Sequence, residues 1–282
     1  MRISVGLIVG QAVGLKCLKI FFNKDNVKID FVISSDQKYN FALKNLCLAN
    51  NIKFYYTLKE YLKKNNKKNK RYVFLLSIFS KIILKKNFLK RFKKSYNLHP
   101  AILPEYPGIN PISGMIFNRE KKIGITLHEI SEKIDAGKII MKKKTPISLK
   151  DNLITCTKKI ENLSKVLIKE FLNKLIKNKK IKKFPNKTKN RKPFPKTIPD
   201  HGQINFDWKY EDFLKFFNAG FSGPFSSDWG RIYFKYKRKK KVILNYKIIK
   251  KKKDENIFFV KNNVFELKLK NKTLKVLTSD NR

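Results

Sequence analysis

Three polar residues near the middle of the sequence have the types and spacing needed for acyl-transfer chemistry. Asn97 and His99 are two positions apart in an extended stretch, so their side chains point to the same side. Histidine accepts a proton near neutral pH, and an asparagine N–H stabilises an oxygen that gains negative charge. Asp135, on a glycine-containing turn, would fix the imidazole tautomer of His99 and favour its protonated form. Together they predict a base, an oxyanion donor and an orienting acid.

The same residues also permit a purely structural interpretation. His99 would then be a loop histidine bonded to the main chain, and Asp135 an ordinary turn residue, since aspartates are common in turns. Residue types and spacing alone leave both interpretations open. No serine or cysteine nucleophile is evident in the loop after His99. If the chemistry is acyl transfer, direct transfer to a bound acceptor is the simpler scheme.

The elements that must position these residues follow an alternating pattern. Apolar strand-type runs alternate with helical patterns at 15–22, 41–50 and 58–64, and the runs are Ile3–Val9, Lys28–Ser34, Phe54–Tyr55 and Tyr72–Leu76. This alternation predicts an α/β fold with a Rossmann-like, mostly parallel sheet. Ligands of such sheets bind beyond the carboxyl ends of the strands. The lone Gly10 and Gly14 do not make a dinucleotide fingerprint.

The central part of the chain predicts a proline-rich loop between two strands, followed by a long helix. The strands are Tyr96–Leu98 and Gly124–Ile130, and His128 on the second is interpreted as a supporting core residue. Apolar residues at helical spacing predict one helix from Leu153 to Leu175, with Asp151 capping its start.

Composition divides the chain into three predicted parts. Residues 1–180 form the catalytic domain, 181–199 a basic linker containing proline, and 200–282 a small, mainly β C-terminal domain. The linker assignment rests on its Lys, Asn and Pro content. Five β-type runs after position 230 support the last assignment.

The overall composition indicates a folded, strongly basic protein. Hydrophobic residues make up 42% of the chain, which excludes a disordered protein, and the net charge is +45. Such a field attracts polyanions, but the lysines are spread along the chain, which favours compositional drift. The three scattered cysteines predict buried free thiols. With no apolar run long enough to span a membrane, we expect a cytoplasmic protein without a membrane partner.

The motifs around the three polar residues resemble those of the folate-dependent formyltransferase family. This family includes glycinamide ribonucleotide, methionyl-tRNA and nucleotide-sugar formyltransferases. The resemblance consists of three motifs in order, which are Asn97-Leu-His99 with Leu103-Pro104, then Gly124-Ile-Thr126, then Ile134-Asp135-Ala-Gly137. The likeness covers most of the chain and is weak after about Lys237. Pro107 and Ile109 depart from the pattern, because relatives often have arginine there.

The resemblance implies a co-substrate and a role for each residue. The formyl donor would be 10-formyltetrahydrofolate, and no metal would be needed. Asn97 would stabilise the oxyanion, His99 would handle the proton, and Asp135 would raise the basicity of His99. The folate pocket would be lined from two sides by Lys81, Ile82 and Ile83, and by Ser131, Glu132, Lys133 and Ile134.

The acceptor is less firmly implied than the donor. A glycinamide ribonucleotide acceptor is disfavoured, because the phosphate loop expected after the first strand is absent. The loop 103–111 looks closer to enzymes acting on 4-amino sugars, which favours an amino-sugar nucleotide. The alternatives are charged initiator tRNA, which the net charge supports, and an inactive formyltransferase-like binding protein. An oligomer is possible with any of these.

Overall fold

A computed structural model describes residues 2–22, 24–65, 70–187, 189, 191–223, 229–249, 257–269 and 272–280. The chain divides into two compact units. The first comprises residues 1–108, 124–145 and 159–192, and the second comprises residues 109–123, 146–158 and 193–282. Each unit is therefore assembled from separate stretches of sequence. The three-part division at 181 and 199 stays a prediction. The sequence also predicts a Gly-Pro turn at Gly223–Pro224 and contains a Lys-rich stretch near Lys250, but Pro224 and residues 250–256 lie outside the described residues.

A seven-stranded sheet organises the first unit. Its strands in chain order are β1 (Ile3–Val9), β2 (Val27–Ser34), β3 (Phe54–Tyr55), β4 (Lys70–Ile78), β5 (Phe92–His99), β6 (Lys122–Glu129) and β7 (Ile139–Pro146). In space they follow the order β3-β2-β1-β4-β5-β6-β7. The four pairings among β1 to β5 are parallel, and β6 runs antiparallel to β5. The predicted mostly parallel α/β sheet is confirmed.

Helices separate the parallel strands, as right-handed crossovers require. They are α1 (Gln11–Phe22), α2 (Asn40–Leu48), α3 (Leu58–Lys64) and the short α4 (Lys86–Leu89), whereas the longer α6 (Leu153–Ile176) follows β7. One face of the sheet buries a largely aromatic cluster that includes Phe31, Tyr55, Tyr61, Phe88 and Phe92. Parallel strands place their carboxyl ends at one edge, so β1, β4 and β5 end together there.

Helix α6 follows the predicted apolar stripe closely. Cys156, Ile160, Leu167 and Phe171 are all buried, and the Phe171 ring lies 5.0 Å from that of Tyr96 on β5. The predicted cap was wrong by one residue. Asn152 Oδ1 accepts hydrogen bonds from the main-chain N–H groups of residues 154 and 155, whereas the Asp151 side chain bonds to residues 148 and 155.

The cysteine thiols are free and buried, as their spacing predicted. Burial raises the pKa of Cys17 and of Cys47 to about 12. Neither forms a thiolate at neutral pH, so neither serves as a nucleophile. Within the part of the chain that the structure describes, no helix is long and apolar enough to cross a membrane.

The second unit combines two helices with an antiparallel sheet. The helices are α5 (Pro111–Phe117) and α7 (Tyr210–Gly220), and the strands are β8 (Tyr233–Tyr236), β9 (Lys239–Ile249), β10 (Ile257–Lys261), β11 (Val264–Leu269) and β12 (Lys272–Asp280). The strand order is β10-β11-β12-β9-β8. Tyr246 of β9 packs edge-on against Phe217 and Phe221 at the end of α7. The predicted β-rich C-terminal structure is confirmed.

Candidate active site

The carboxyl end of β5 carries the two residues of the Asn-Leu-His motif. Pairing with the antiparallel β6 places Asn97 opposite His128 and His99 opposite Thr126. The two-residue period of a strand directs Asn97 and His99 to the same side, as predicted. His99 and His128 are buried, whereas Asn97 is only partly buried. Asn97 is therefore the member of this group that a ligand reaches most easily.

The loop after His99 is held by Thr126 of the Gly-Ile-Thr motif. Thr126 Oγ1 accepts a hydrogen bond from Leu103 N at 3.1 Å and donates one to Ala101 O at 2.7 Å. These bonds turn the chain so that the carbonyl oxygen of Tyr106 lies 2.7 Å from His99 Nε2. The threonine of this motif thus orients the loop that contacts the histidine.

The turn with Asp135 depends on a close approach of two main chains. A Cβ on Gly137 would lie 1.8 Å from the carbonyl oxygen of Glu129, so only glycine fits there. Asp135 itself has φ of +48°, in the left-handed region. Gly108 N donates to Asp135 Oδ2 at 2.8 Å. The Ile-Asp-Ala-Gly motif therefore builds a specific turn that presents the Asp135 carboxylate.

The Asp135 carboxylate is the centre of the polar cluster. Oδ2 is 3.4 Å from His99 Nδ1, and Oδ1 is 3.3 Å from His128 Nε2. Asn97 Nδ2 is 3.4 Å from Asp135 Oδ1 and 3.2 Å from His128 Nε2. The structure thus brings together Asn97, His99 and Asp135, which are up to 38 positions apart in the chain. Their catalytic role stays a prediction.

Hydrogen-bond partners assign the proton positions on both imidazoles. A carbonyl oxygen only accepts, so His99 Nε2 carries the proton that it donates to Tyr106. By the same reasoning His128 Nδ1 donates to Glu129 O at 2.7 Å. In a neutral His99 ring, Nδ1 is then unprotonated and directed at Asp135. A proton added at this nitrogen would be stabilised by the carboxylate.

The pKa of His99 is lowered from its ordinary value, because burial disfavours the charged imidazolium. Asp135 and the Tyr106 carbonyl oppose this effect, while His128 and Arg191 add to it. Asp135 acts in the expected direction, because it raises the His99 pKa and so favours the protonated form, but burial has the larger effect. Desolvation outweighs the carboxylate, and His99 is neutral and ready to accept a proton at neutral pH.

The pKa of Asp135 lies well below its ordinary value. Burial by itself would raise this pKa, but His99, His128 and the Gly108 N–H together stabilise the carboxylate and lower it. Asp135 therefore remains charged across the neutral range. A fixed negative charge beside a neutral imidazole is the arrangement that stabilises a transiently protonated His99.

The predicted folate residues occupy two separate loops. Residues 81–83 follow β4, and residues 131–134 follow β6. A salt bridge of 2.9 Å between Lys86 and Glu132 links the start of α4, which follows the first loop, to the second loop. Ile82 packs on the aromatic cluster, whereas Ile83 and Ile134 are 69% and 53% exposed. Ser131 Oγ donates to Lys133 O and shapes the second loop. Folate binding by these residues stays a prediction.

Two side chains that contact this site fell in the stretch interpreted as the start of a linker. Asn186 Nδ2 donates to the carbonyl oxygens of Asp135 and Gly137, and Arg191 Nη2 donates to that of Ile134. No sequence signal marks them, because their partners are 49 to 57 positions away.

His128, by contrast, was interpreted from the sequence as a supporting core residue, because it and Thr126 occupy alternate positions of one strand. The described residues contain no group of three or more His, Cys, Asp or Glu arranged to hold a metal ion.

Comparison with characterised sequences identifies one related region. Residues 23–172, a little over half of the chain, match the model of the formyl transferase family. Over 80 residues the chain is 44% identical to the methionyl-tRNA formyltransferase of Kosmotoga olearia. That match covers 28% of this chain and 26% of the relative, so the chain spans about a quarter of that relative's length.

Comparison of folds extends over the whole chain. The sugar 3N-formyl transferase WlaRD, solved with dTDP and 5-N-formyl-THF, has a TM-score of 0.71 at 20% identity, with full coverage of both chains. An N-formyltransferase from Helicobacter canadensis, solved with folinic acid and dTDP-3-aminofucose, has a TM-score of 0.69 at 19% identity. It covers 99% of this chain and 100% of its own. Identities this low establish a shared fold only. Taken with the family match over residues 23–172, they lead to one conclusion: the chain belongs to the formyl transferase family.

Proposed function

We propose that the protein transfers a formyl group from 10-formyltetrahydrofolate to a primary amine. The observation that carries this proposal is the placement of the Asp135 carboxylate within 3.4 Å of both His99 Nδ1 and Asn97 Nδ2. A base, a charged acid that stabilises its protonated form, and a neutral N–H donor meet at one point. Such a set serves acyl transfer without a covalent enzyme intermediate.

His99 is proposed to hold the proton released when the amine is acylated. Its Nδ1 is the unprotonated nitrogen and is directed at Asp135. Protonation there gives an imidazolium that donates to Asp135 on one side and to the Tyr106 carbonyl on the other. The lowered pKa of His99 means that the proton leaves readily afterwards.

Asn97 is proposed to donate to the oxygen that becomes negatively charged during transfer. Its amide nitrogen makes two contacts of 3.2 and 3.4 Å, both near the upper limit for hydrogen bonds. Such long contacts are readily exchanged for a shorter, charge-assisted one. When bound, the folate donor supplies the electrophilic one-carbon unit.

The two loops that include residues 81–83 and 131–134 are proposed to hold the folate. Each contributes one exposed isoleucine, Ile83 or Ile134. Apolar side chains combined with a few polar groups are typical of sites for small organic ligands. We therefore retain the predicted folate residues as part of the proposal.

Charged initiator tRNA is the acceptor that we place first. The chain is 44% identical to an enzyme named for that substrate over a match of 80 residues, whereas two sugar enzymes share its fold at about 20% identity over 99 to 100% of the chain. The net charge of +45 also suits a polyanionic acceptor. This reverses the order that the loop sequences alone favoured.

An amino-sugar nucleotide is the second candidate. Two solved sugar formyltransferases match the chain over 99 to 100% of its length, including its C-terminal part. The dispersal of the lysines along the chain also favours a small acceptor, because such charge need not serve binding.

The test is a parallel assay of formyl transfer. Purified protein and 10-formyltetrahydrofolate are offered methionyl initiator tRNA or an amino-sugar nucleotide, and released tetrahydrofolate is measured. Turnover with only one of the two acceptors identifies the class of substrate. His99→Ala is the control, and it is expected to lose at least about 100-fold in kcat. Near-normal turnover of this variant would overturn the assignment of the site, and no turnover with either amine would overturn the reaction.

A further inference from the structure

The chain after helix α6 returns to the turn that presents Asp135. We name residues 184–192, of which 188 and 190 lie outside the described residues, the return segment. Phe184 and Ile139 exchange two main-chain hydrogen bonds of 2.8 and 2.9 Å, which anchors the segment to β7. Its composition is that of a linker, yet its residues belong to the first unit.

Asn186 binds the main chain of the catalytic turn directly. Its Nδ2 donates to Asp135 O at 2.8 Å and to Gly137 O at 3.0 Å, so both amide hydrogens are used. Two carbonyls on either side of Ala136 are thereby joined by one side chain. Because Asp135 has a left-handed φ of +48°, which costs energy for a residue with a Cβ, the turn needs such external support.

Arg191 adds a second tether one residue earlier in the same turn. Its Nη2 donates to Ile134 O at 2.8 Å, and Lys192 N donates to Glu105 O at 2.6 Å. Glu105 precedes Tyr106, whose carbonyl oxygen accepts the hydrogen bond from His99 Nε2. The return segment therefore contacts both loops that orient the His99 ring.

The side chains of Asn186 and Arg191 each contain one buried polar atom that lowers the stability of the folded protein. Arg191 Nε and Asn186 Oδ1 are inaccessible to water and have no hydrogen-bond partner in the described structure. Leaving buried donors and acceptors unsatisfied costs stability, and such groups call for another reason to be retained. Their paired partners, by contrast, are all carbonyls of the Asp135 turn.

We propose that Asn186, assisted by Arg191, is a positioning residue that holds the Asp135 carboxylate against His99. This inference rests on the proposed function of the site. Asn186 acts through the main chain of Asp135 and touches neither imidazole. Its loss is expected to let the turn relax and to move the carboxylate away from His99 Nδ1.

A positioning role predicts a change in the titration of His99. The charged groups that influence this ring are Asp135, which raises its pKa, and His128 and Arg191, which lower it. If Asn186→Ala lets Asp135 move away, the raising effect weakens, and the pKa of His99 falls further. A side chain that only stabilised the fold would leave this titration unchanged.

The experiment compares Asn186→Ala with Lys187→Ala, an exposed neighbour in the same segment. We expect Asn186→Ala to lower kcat about 10- to 100-fold with little change in KM. We also expect the NMR titration midpoint of His99 to move to lower pH. Asn186→Gln, which keeps the amide donor, should recover part of the loss. Lys187→Ala should match the unaltered protein in both measurements.

Three outcomes separate the possible failures. Unchanged kcat and His99 titration in a folded Asn186→Ala protein would overturn the positioning role. If that variant does not fold, Arg191→Gln is compared with Lys189→Gln, which removes the same charge two positions away. Equal kcat in that pair would also overturn the inference. Retained turnover in His99→Ala would instead overturn the assignment of the catalytic site, and no turnover with either amine would overturn the proposed function. In both cases the NMR titration of His99 in the Asn186→Ala protein would still report on the turn.

Discussion

At the scale of single residues, the chemistry of the site depends on the sign of two electrostatic effects. Burial makes the neutral form of His99 the stable one, while three polar neighbours keep Asp135 charged. Protonation of His99 would therefore turn His99 and Asp135 into a salt bridge. That proton is the one which acylation of an amine releases, so the resting state is prepared to receive it.

Replacing Asp135 tests the coupling between these two residues. Asp135→Asn removes the charge that raises the pKa of His99, so the acidic limb of the kcat/KM profile should move to lower pH. At the same time kcat should fall on the order of 100-fold, because the protonated imidazole loses its partner. The measurement is kcat/KM between pH 5 and 9. An unshifted acidic limb would show that the carboxylate does not act on His99.

The stability of the protein should also depend on His99. Its folded-state pKa lies below the ordinary value of 6.5, so the folded state binds this proton less readily than the unfolded state. The free energy of unfolding should hence be unaffected by His99 above pH 6.5 and should decline as the pH falls through the folded pKa. Thermal melts of the protein and of His99→Gln between pH 7 and 5 measure this. The decline should be smaller in the variant, and equal slopes would contradict it.

At the scale of elements, the site is built from two adjacent strands and one turn. The carboxyl end of β5 supplies Asn97 and His99, the antiparallel β6 supplies His128, and the turn before β7 supplies Asp135. Local patterns predicted the strands. The linker at 181–199 stays a prediction, and hydrogen bonds join two of its residues, Asn186 and Arg191, to the Asp135 turn.

The turn before β7 should not tolerate a side chain at Gly137. Gly137→Ala brings a Cβ within 1.8 Å of the Glu129 carbonyl, and main-chain atoms yield poorly, so a loss of at least about 2 kcal/mol in unfolding free energy is expected. Gly108→Ala is the comparison, since nothing lies within 4 Å of its added Cβ. Only its positive φ is penalised, at about 1 kcal/mol. Chemical denaturation measures both, and a smaller loss at Gly137 would contradict the model of the turn.

The salt bridge between Lys86, at the start of α4, and Glu132, in the proposed folate loop after β6, should affect binding of the formyl donor. Glu132→Ala frees the loop from Lys86, so KM for 10-formyltetrahydrofolate should rise while kcat stays within about twofold, since the interaction is remote from the reacting atoms. Asp212→Ala breaks the comparably exposed bridge to Lys215 in the second unit and serves as the control. An unchanged KM in Glu132→Ala would count against folate binding at these loops.

At the scale of the whole molecule, the charge is distributed over the length of the chain. Residues 1–199 contain 46 basic and 12 acidic residues, and residues 200–282 contain 20 and 9. Both parts are thus strongly positive, and neither concentrates the charge. A field of this kind accelerates encounter with any polyanion and adds little selectivity.

The charge makes a prediction that separates the two acceptors. With initiator tRNA, kcat/KM should fall steeply as salt rises from 50 to 200 mM, because each phosphate contact releases counterions. With an amino-sugar nucleotide, which offers few phosphates, the dependence should be shallow. Assays in a potassium chloride series provide the comparison, and yeast RNA added as a competitor reports nonspecific binding. If kcat/KM with tRNA did not change with salt, the positive charge would be a matter of amino-acid composition and would not serve tRNA binding.

The sequence by itself determined the class of fold, the long helix α6, the β-rich C-terminal structure and the three motifs that surround Asn97, His99 and Asp135. Those features depend on local periodicity or short patterns, which a sequence displays directly. Only the tertiary structure decided the net sign of the His99 pKa, because burial is set by residues far along the chain. It also decided that Asn186 and Arg191 hold the Asp135 turn, since hydrogen bonds to main-chain carbonyls 49 to 57 positions away leave no local pattern.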